Sequence, residues 1–371
     1  MAKTYYYKLD RILKEQALYY MIIGERSNGK TFSVLEYGLK DYCINGNKMA
    51  LIRRWDMDFK GKNGQAMFES IVKAGLVEKY TKGQWTNITY FSSRWYLSKY
   101  DEELDKEIKS NEPFCYAFAL NTSEHDKSTS YPDIKTILFD EFLSRKGYIM
   151  NEFVEFMNVL STIIRERDDV KIFMCANTVN KYAPYFTEMG LTNVPKMKQG
   201  TIDIYSYGDT ELKVAVEYCS TNTNKDGKKG KKSDKYFAFN NPRLNMITGG
   251  AWEIDIYPHL QSKYTEKDIM LKYFIEFDRN LLECDIVCKG SNYFTYIHRK
   301  TTPLKYPDKE IVFSQRHDSR INWGRKITKP KLTIERKILN MFVAEKVFYQ
   351  DNEVGEIVRN YLKWCKTDLS I

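Results

Sequence analysis

The residues best suited to chemistry are Gly24, Glu25, Arg26, Ser27, Asn28, Gly29, Lys30 and Thr31, which fit the spacing G-x-x-x-x-G-K-[ST]. Phosphate groups need backbone N–H donors, a helix N-terminus and a cation in one place, and this stretch offers all three. In this reading Lys30 reaches the β- and γ-phosphates of a nucleotide, and the Thr31 hydroxyl ligates Mg²⁺. A nucleotide-bound Mg²⁺ also calls for a carboxylate, usually through water, and Asp140 closes the apolar run Thr136-Ile-Leu-Phe139. Glu141 follows directly, placed to polarise a water in line with the γ-phosphate. Asn177 ends the next apolar run, where a polar side chain holds the attacking water or the γ-phosphate, or else closes a plain strand-end turn. Arg165 and Arg167 follow a helical segment; pointed at a neighbouring subunit, either could stabilise transition-state charge, and a solvated helix end is the other reading. Lys127, in the polar loop 121–130, is a further candidate for that task.

These groups need strands and helices to position them. Residues 18–23 form a short aromatic and β-branched run, the pattern of a buried strand, and Phe32, Leu35, Leu39 and Tyr42 recur at helical spacing. The glycine-rich stretch thus joins a strand to a helix, the context in which its pattern means a phosphate site. Residues 48–54 predict a strand ending in two arginines, and residues 56–80 a polar loop plus a helix over 65–79. The aromatic segments 84–98 and 113–120 predict an antiparallel insertion. Residues 131–141 predict a strand, 152–165 a helix with Phe153, Phe156, Met157, Leu160 and Ile164 on one face, and 171–177 another strand. Alternating strands and helices imply a mostly parallel α/β sheet, with ligands beyond the carboxyl ends of its strands. Residues 201–207 and 211–219 predict a closing hairpin. Farther on, 272–277, 281–288 and 292–298 predict a meander, and 334–348 and 354–364 two amphipathic helices, together an α+β domain.

Composition sets the limits. A 43% hydrophobic and 15% aromatic content supports packed cores and argues against disorder. No apolar run reaches the roughly 18 to 20 residues that span a bilayer, and the first residues lack the apolar core of a signal peptide, so a cytosolic protein with no membrane partner is expected. The 7 cysteines include no CxxC pair; Cys284 and Cys288 have only His298 nearby, and buried reduced thiols are the expectation. The net charge of +9 is compatible with a polyanionic partner. Its densest part, residues 225–235, includes Lys228, Lys229, Lys231 and Lys232, which serve either as nucleic-acid contacts or as a solvated linker.

The segments IIGERSNGKTFS, ALIRRW, KSTSYPDIKTILFDEF, TIIRERDDVKIFMCANTV and YAPYF resemble the DNA-packaging ATPases of small podoviruses of the phi-twenty-nine type (Picovirinae), compact homologues of the large terminase. The resemblance is good from about residue 15 to 190 and looser beyond. It implies an ASCE-type P-loop NTPase domain over residues 1–208, a linker over 209–262, and a small RNase H-like α+β domain over 263–371 that has lost its nuclease site. Glu283 and Asp285 share one strand there without a second carboxylate cluster to complete a two-metal site. The resemblance further implies a homopentameric ring at the portal (connector) of a prohead, in the host cytoplasm, driving double-stranded DNA with ATP and Mg²⁺; a structural RNA is a further partner to test. Gly24 to Thr31 map to the family's phosphate loop, Asp140 to its Mg²⁺ aspartate, Glu141 to its catalytic glutamate and Arg165 to its trans-acting arginine. Two alternatives stand beside it: another ring-forming or helicase-type DNA ATPase, and a non-hydrolysing nucleic-acid- or portal-binding protein. Glu141 argues against the second, since a site that does not hydrolyse has no need of that carboxylate.

Overall fold

The computed structural model describes residues 6–122, 130–144, 148–149, 151–179, 181, 183–220, 252, 257–260 and 263–366. Lys127, Lys228, Lys229, Lys231 and Lys232 lie outside the described residues. The chain divides into two compact units, Met1–Glu253 and Ile254–Ile371.

The first unit is built on one sheet. Its strands are β1 (Tyr19–Gly24), β2 (Lys48–Arg53), β3 (Asn87–Phe91), β4 (Arg94–Asp101), β5 (Lys106–Lys109), β6 (Cys115–Ala119), β7 (Ile134–Asp140), β8 (Lys171–Asn177), β9 (Thr201–Ser206) and β10 (Lys213–Tyr218). They run in the order β3-β4-β6-β2-β7-β8-β1-β10-β9, with β5 on the free side of β4. From β6 to β10 every pairing is parallel. Parallel strands need both faces covered, which is why β1, β2, β7 and β8 are nearly continuous apolar runs. Helix α1 (Lys30–Asn45) buries Val34, Leu35 and Leu39 on one face, beside Ile22, Leu51 and Phe173. Helix α2 (Glu152–Ile164) buries Phe156, Val159, Leu160 and Ile163 on the other, beside Phe139 and Met174. One strand, β8, lies between the strand of the phosphate loop and the strand of Asp140, the additional-strand arrangement of ASCE-type P-loop folds.

The chain departs from the sequence expectation in three places here. Residues 65–79 form parts of three short helices, Lys62–Ala66, Glu69–Lys73 and Leu76–Tyr80; Gly75 takes a left-handed turn (φ 67°) between the last two, which bury Ile71 and Leu76 with Val77 respectively. The segment 113–120 is only half of an antiparallel insertion: β6 meets β4 antiparallel but joins β2 parallel. The sheet also continues past residue 208, since β10 pairs with β1 over five residues and β9 closes the edge as a hairpin.

The second unit holds an antiparallel meander, β11 (Ile269–Phe277), β12 (Asn280–Lys289) and β13 (Asn292–Arg299), flanked by the parallel additions β14 (Ile311–Ser314), β15 (Trp323–Gly324) and, after helix α3 (Thr333–Val343), β16 (Val347–Tyr349). A helix expected over 334–348 therefore stops at Val343. Glu345 adopts φ 56°, and the β-branched and aromatic residues Val347, Phe348 and Tyr349 pair with β13 instead. Helix α4 (Asn352–Lys366) buries Val354, Ile357, Val358 and Tyr361.

Candidate active site

The phosphate loop leaves β1 at Gly24 and enters α1 at Lys30. Ser27 (φ 57°) and Gly29 (φ 94°) are left-handed within it, a backbone alternation that turns successive N–H groups toward one concavity. Gly24 is required by closeness: a Cβ there would stand 2.9 Å from Cys219 Cβ. The Lys30 ammonium is buried and rests on Glu25 O (2.6 Å), Asn28 Oδ1 (3.1 Å), Gly24 O (3.4 Å) and Asn177 Oδ1 (3.4 Å). Burial holds its pKa below the usual lysine range. Asn177 arrives here because β1 and β8 pair in a register that sets Gly24 opposite Asn177. Glu25 and Asn28 are buried within the loop, while Arg26 and Ser27 face outward.

Across the cavity Thr31 Oγ1 donates to Asp140 Oδ1 at 2.7 Å, so the two expected Mg²⁺ ligands converge. Burial raises the Asp140 carboxyl above the ordinary aspartate value, against the lowering influence of Arg53 and of the Thr31 hydrogen bond. Glu141 turns out of the strand with φ 59°, its N–H donating to Cys175 O at 2.8 Å. The loop, Asp140, Glu141, Ala176 and Asn177 enclose a cavity of about 240 Å³.

Sequence reasoning noted Arg53 and Arg54 only as a strand ending, yet both serve this site. Arg53 pairs with Glu141 (Nη1 to Oε2, 2.8 Å) and with Asp140 (Nη2 to Oδ2, 3.4 Å). Arg54 forms a buried bidentate pair with Glu152, at 2.6 and 2.7 Å, and donates to the carbonyls of Glu141 (3.2 Å) and Phe142 (2.8 Å). Tyr185 Oη and the Ile149 N–H donate to the same carboxylate, at 2.7 and 2.9 Å. The usable signal was adjacency: if β2 lies beside β7, residues just past Ile52 stand beside the Asp-Glu pair.

The two helix-end arginines have different fates. Arg165 closes α2 with φ 50°, its N–H donating to Ser161 O. Since α2 is 13 residues long, about 20 Å at 1.5 Å per residue, and begins at the Glu152 that anchors Arg54, Arg165 lies at the far end from its own phosphate loop. Arg167 directs its guanidinium to the carbonyls of Tyr131, Pro132, Ile134, Ile163 and Ile164 at 2.7 to 3.1 Å. A guanidinium has five N–H donors, so Arg167 is a clamp within its own subunit, which argues against an outward role.

In the second unit Glu283 bonds Lys272 (2.8 Å) and Lys300 (3.1 Å), and Asp285 accepts from Tyr264 at 2.6 Å and lies 3.4 Å from His298 Nε2. Potential ligand atoms of Glu283, Asp285 and His298 gather within 4.8 Å, but two ammonium groups already balance this charge. Cys284 is buried and Cys288 exposed on the same strand, so they do not form a joint site.

Comparison with known proteins agrees with this geometry. The family model described as "Podovirus DNA encapsidation protein (Gp16)" matches residues 108–236. The DNA packaging protein of Bacillus phage phi29 is 24% identical over 223 residues, 59% of this chain and 60% of that protein. That of Bacillus phage B103 is 26% identical over 185 residues, 49% of each chain. The match thus spans 60% of the length of the phi29 relative. In fold, the chain is similar to the bacteriophage Phi-29 viral genome packaging motor assembly, with TM-score 0.58 and 17% identity over 97% of this chain and 98% of the other. It is also similar to the Phi-28 gp11 DNA packaging motor, with TM-score 0.55 and 20% identity over 100% of both. The chain is therefore a homologue of the phi29-type DNA packaging protein, built on a P-loop fold.

Proposed function

We propose that the chain is the ATP-hydrolysing subunit of a motor that drives double-stranded viral DNA into a preformed capsid. The observation that carries the enzymatic part is the convergence of Lys30, the Thr31–Asp140 pair and Glu141 around one cavity. Lys30 can exchange its loop oxygens for phosphate oxygens, and the loop N–H groups hold the rest of the triphosphate. The hard oxygen donors of Thr31 and Asp140 suit Mg²⁺, which when bound neutralises charge on the β- and γ-phosphate oxygens. Glu141 acts as the base that aligns a water, and Asn177, already within reach of Lys30, marks the γ-phosphate end. Arg53 is a positioning residue: its pair with Glu141 must loosen for that carboxylate to turn toward water.

Subunits act as a ring, a homopentamer by the resemblance, seated on the portal of a prohead in the host cytoplasm. A structural RNA joins the assembly if the analogy extends that far. Arg165, remote from its own loop, serves the neighbouring subunit's γ-phosphate, a contribution that no cis residue at that helix end could make. The second unit contributes binding surface and no nuclease chemistry, Glu283 being held by Lys272 and Lys300 and Asp285 by Tyr264 and His298. Glu141→Gln tests the assignment: it binds ATP like the unaltered chain and does not turn it over. Substantial turnover by that variant removes Glu141 from the role of base.

A further inference from the structure

The end of α2 carries Arg165 on a backbone that an arginine rarely takes. Residues 164–167 form a tight turn in which Arg167 N–H donates to Ile164 O at 3.3 Å, and Arg165, its second residue, has φ 50° and ψ −132°. That is the geometry of a type II′ turn, whose second position favours glycine because a Cβ there crowds the backbone. A residue with a side chain is strained in this conformation and persists only where its surroundings impose it. A turn that served stability alone would be better made with glycine, yet an exposed arginine stands there.

The surrounding group that imposes the turn is the Arg167 guanidinium. Its Nε donates to Ile164 O (3.1 Å), Nη1 to Pro132 O (2.7 Å) and Ile134 O (2.8 Å), and Nη2 to Tyr131 O (3.1 Å) and Ile163 O (2.7 Å). Ile163 O and Ile164 O are among the terminal carbonyls that a helix itself leaves unpaired. The carbonyls of Tyr131, Pro132 and Ile134 belong to the chain entering β7, so one planar group bolts the last turn of α2 to the central sheet. The ion pair of Lys135 with Asp169 joins the same strand to the residues just beyond the turn. Resting on the trans reading of Arg165 above, we propose that Arg167 is the positioning residue of that arginine, locking the 164–167 turn so that Arg165 leaves the subunit surface in one fixed direction before a neighbour arrives. On an unclamped helix end, which frays, Arg165 would have to be ordered at each ring closure. The clamp removes that cost, and the strained backbone at Arg165 is its consequence.

Arg167→Lys tests this, because it keeps the charge but offers the three donors of an ammonium on a flexible stem in place of a planar five. ATP binding and turnover are measured for the unassembled full chain and for the chain on purified proheads. The unassembled variant should bind and hydrolyse ATP as the unaltered chain does. On proheads its rate should fall about tenfold or more, since misplacing a reacting group by about 1 Å can cost about a hundredfold. Adding Glu141→Gln subunits should restore part of that rate: the Arg167→Lys subunit supplies the glutamate, and its neighbour supplies an arginine on an intact clamp. A full rate on proheads overturns the inference. So does a parallel loss without proheads, or a co-assembled mixture that stays inactive, either of which makes Arg167 a prop for the site of its own subunit. Two variants that leave the clamp intact read the strain: Arg165→Gly and Arg165→Ala both lack the guanidinium, and the glycine form should melt about 2–4 °C higher because it accepts φ 50°. Equal melting temperatures remove the strain and overturn the inference. Arg165→Ala also separates the two levels. If its rings turn over normally, the trans reading itself fails; if they are inactive while Arg167→Lys rings are fully active, only the positioning role fails.

Discussion

The Arg54–Glu152 pair supports the catalytic turn from beneath, and its removal has a calculable cost. The Glu152 side chain has 0% exposure and that of Arg54 has 8%, so solvent cannot replace the guanidinium. Arg54→Ala leaves a buried carboxylate whose remaining donors, among the described residues, are Tyr185 Oη and the Ile149 N–H. Breaking a buried pair from one side costs about 3–5 kcal/mol, chiefly through the charge left behind. For a unit of this size, at about 2–4 °C per kcal/mol, the melting temperature should fall by roughly 6–20 °C. Because Arg54 also holds the carbonyls of Glu141 and Phe142, turnover should drop at temperatures where the variant is still folded. Arg54→Met with Glu152→Gln removes both charges while keeping an acceptor for Tyr185, so most of the lost stability should return. Thermal unfolding followed by circular dichroism, with ATP turnover measured well below the transition, reads both effects. A single variant that melts within about 2 °C of the unaltered chain, less than 1 kcal/mol, refutes the reasoning. A double variant no more stable than the single one refutes it equally.

Three further outcomes follow from the site. Lys30→Ala should lose nucleotide affinity in a direct titration, and normal binding would count against the phosphate-loop assignment. Burial raises the Asp140 carboxyl, and a protonated Asp140 cannot ligate Mg²⁺, so Mg²⁺-dependent turnover should weaken as pH falls, beginning above the ordinary aspartate range. Added Mg²⁺ competes with the proton and should move that acid limb to lower pH; a limb indifferent to Mg²⁺ assigns it to another group. For Arg165, turnover should rise on assembly, Arg165→Ala should abolish the rise, and mixing Arg165→Ala with Glu141→Gln subunits should restore some activity at interfaces that pair an intact arginine with an intact glutamate. Inactive mixtures that still co-assemble exclude the trans assignment.

The chemistry at the strand ends was legible in the sequence because each group closes an apolar run, and a parallel sheet gathers such ends on one edge. Gly24, Asp140 and Asn177 meet for that reason alone. Arg53 and Arg54 were visible as a pair without a role, since the role depends on β2 lying beside β7. Arg167 shows the same limit from the other side: a basic residue after a helix reads as free to act, and only tertiary structure brings the carbonyls of Tyr131, Pro132 and Ile134 to it. Local propensity misled over 65–79 and 334–348, where helical spacing persists across Gly75 and across the turn at Glu345, and packing divides the segment. The tie of Tyr7 to the phosphate loop and α1, its N–H donating to Asn28 O and its carbonyl accepting from Ser33 Oγ, had no sequence signal, because it uses the Tyr7 backbone.

The most direct test of the proposed motor is protection of double-stranded DNA from nuclease after incubation of the full chain with purified proheads, DNA and Mg·ATP. Full-length DNA should be protected with the unaltered chain, and none with Glu141→Gln at ATP concentrations that saturate its site. Protection that persists in Glu141→Gln, or its absence with an unaltered chain that hydrolyses ATP on those proheads, contradicts the assignment of this chain as the DNA-driving ATPase.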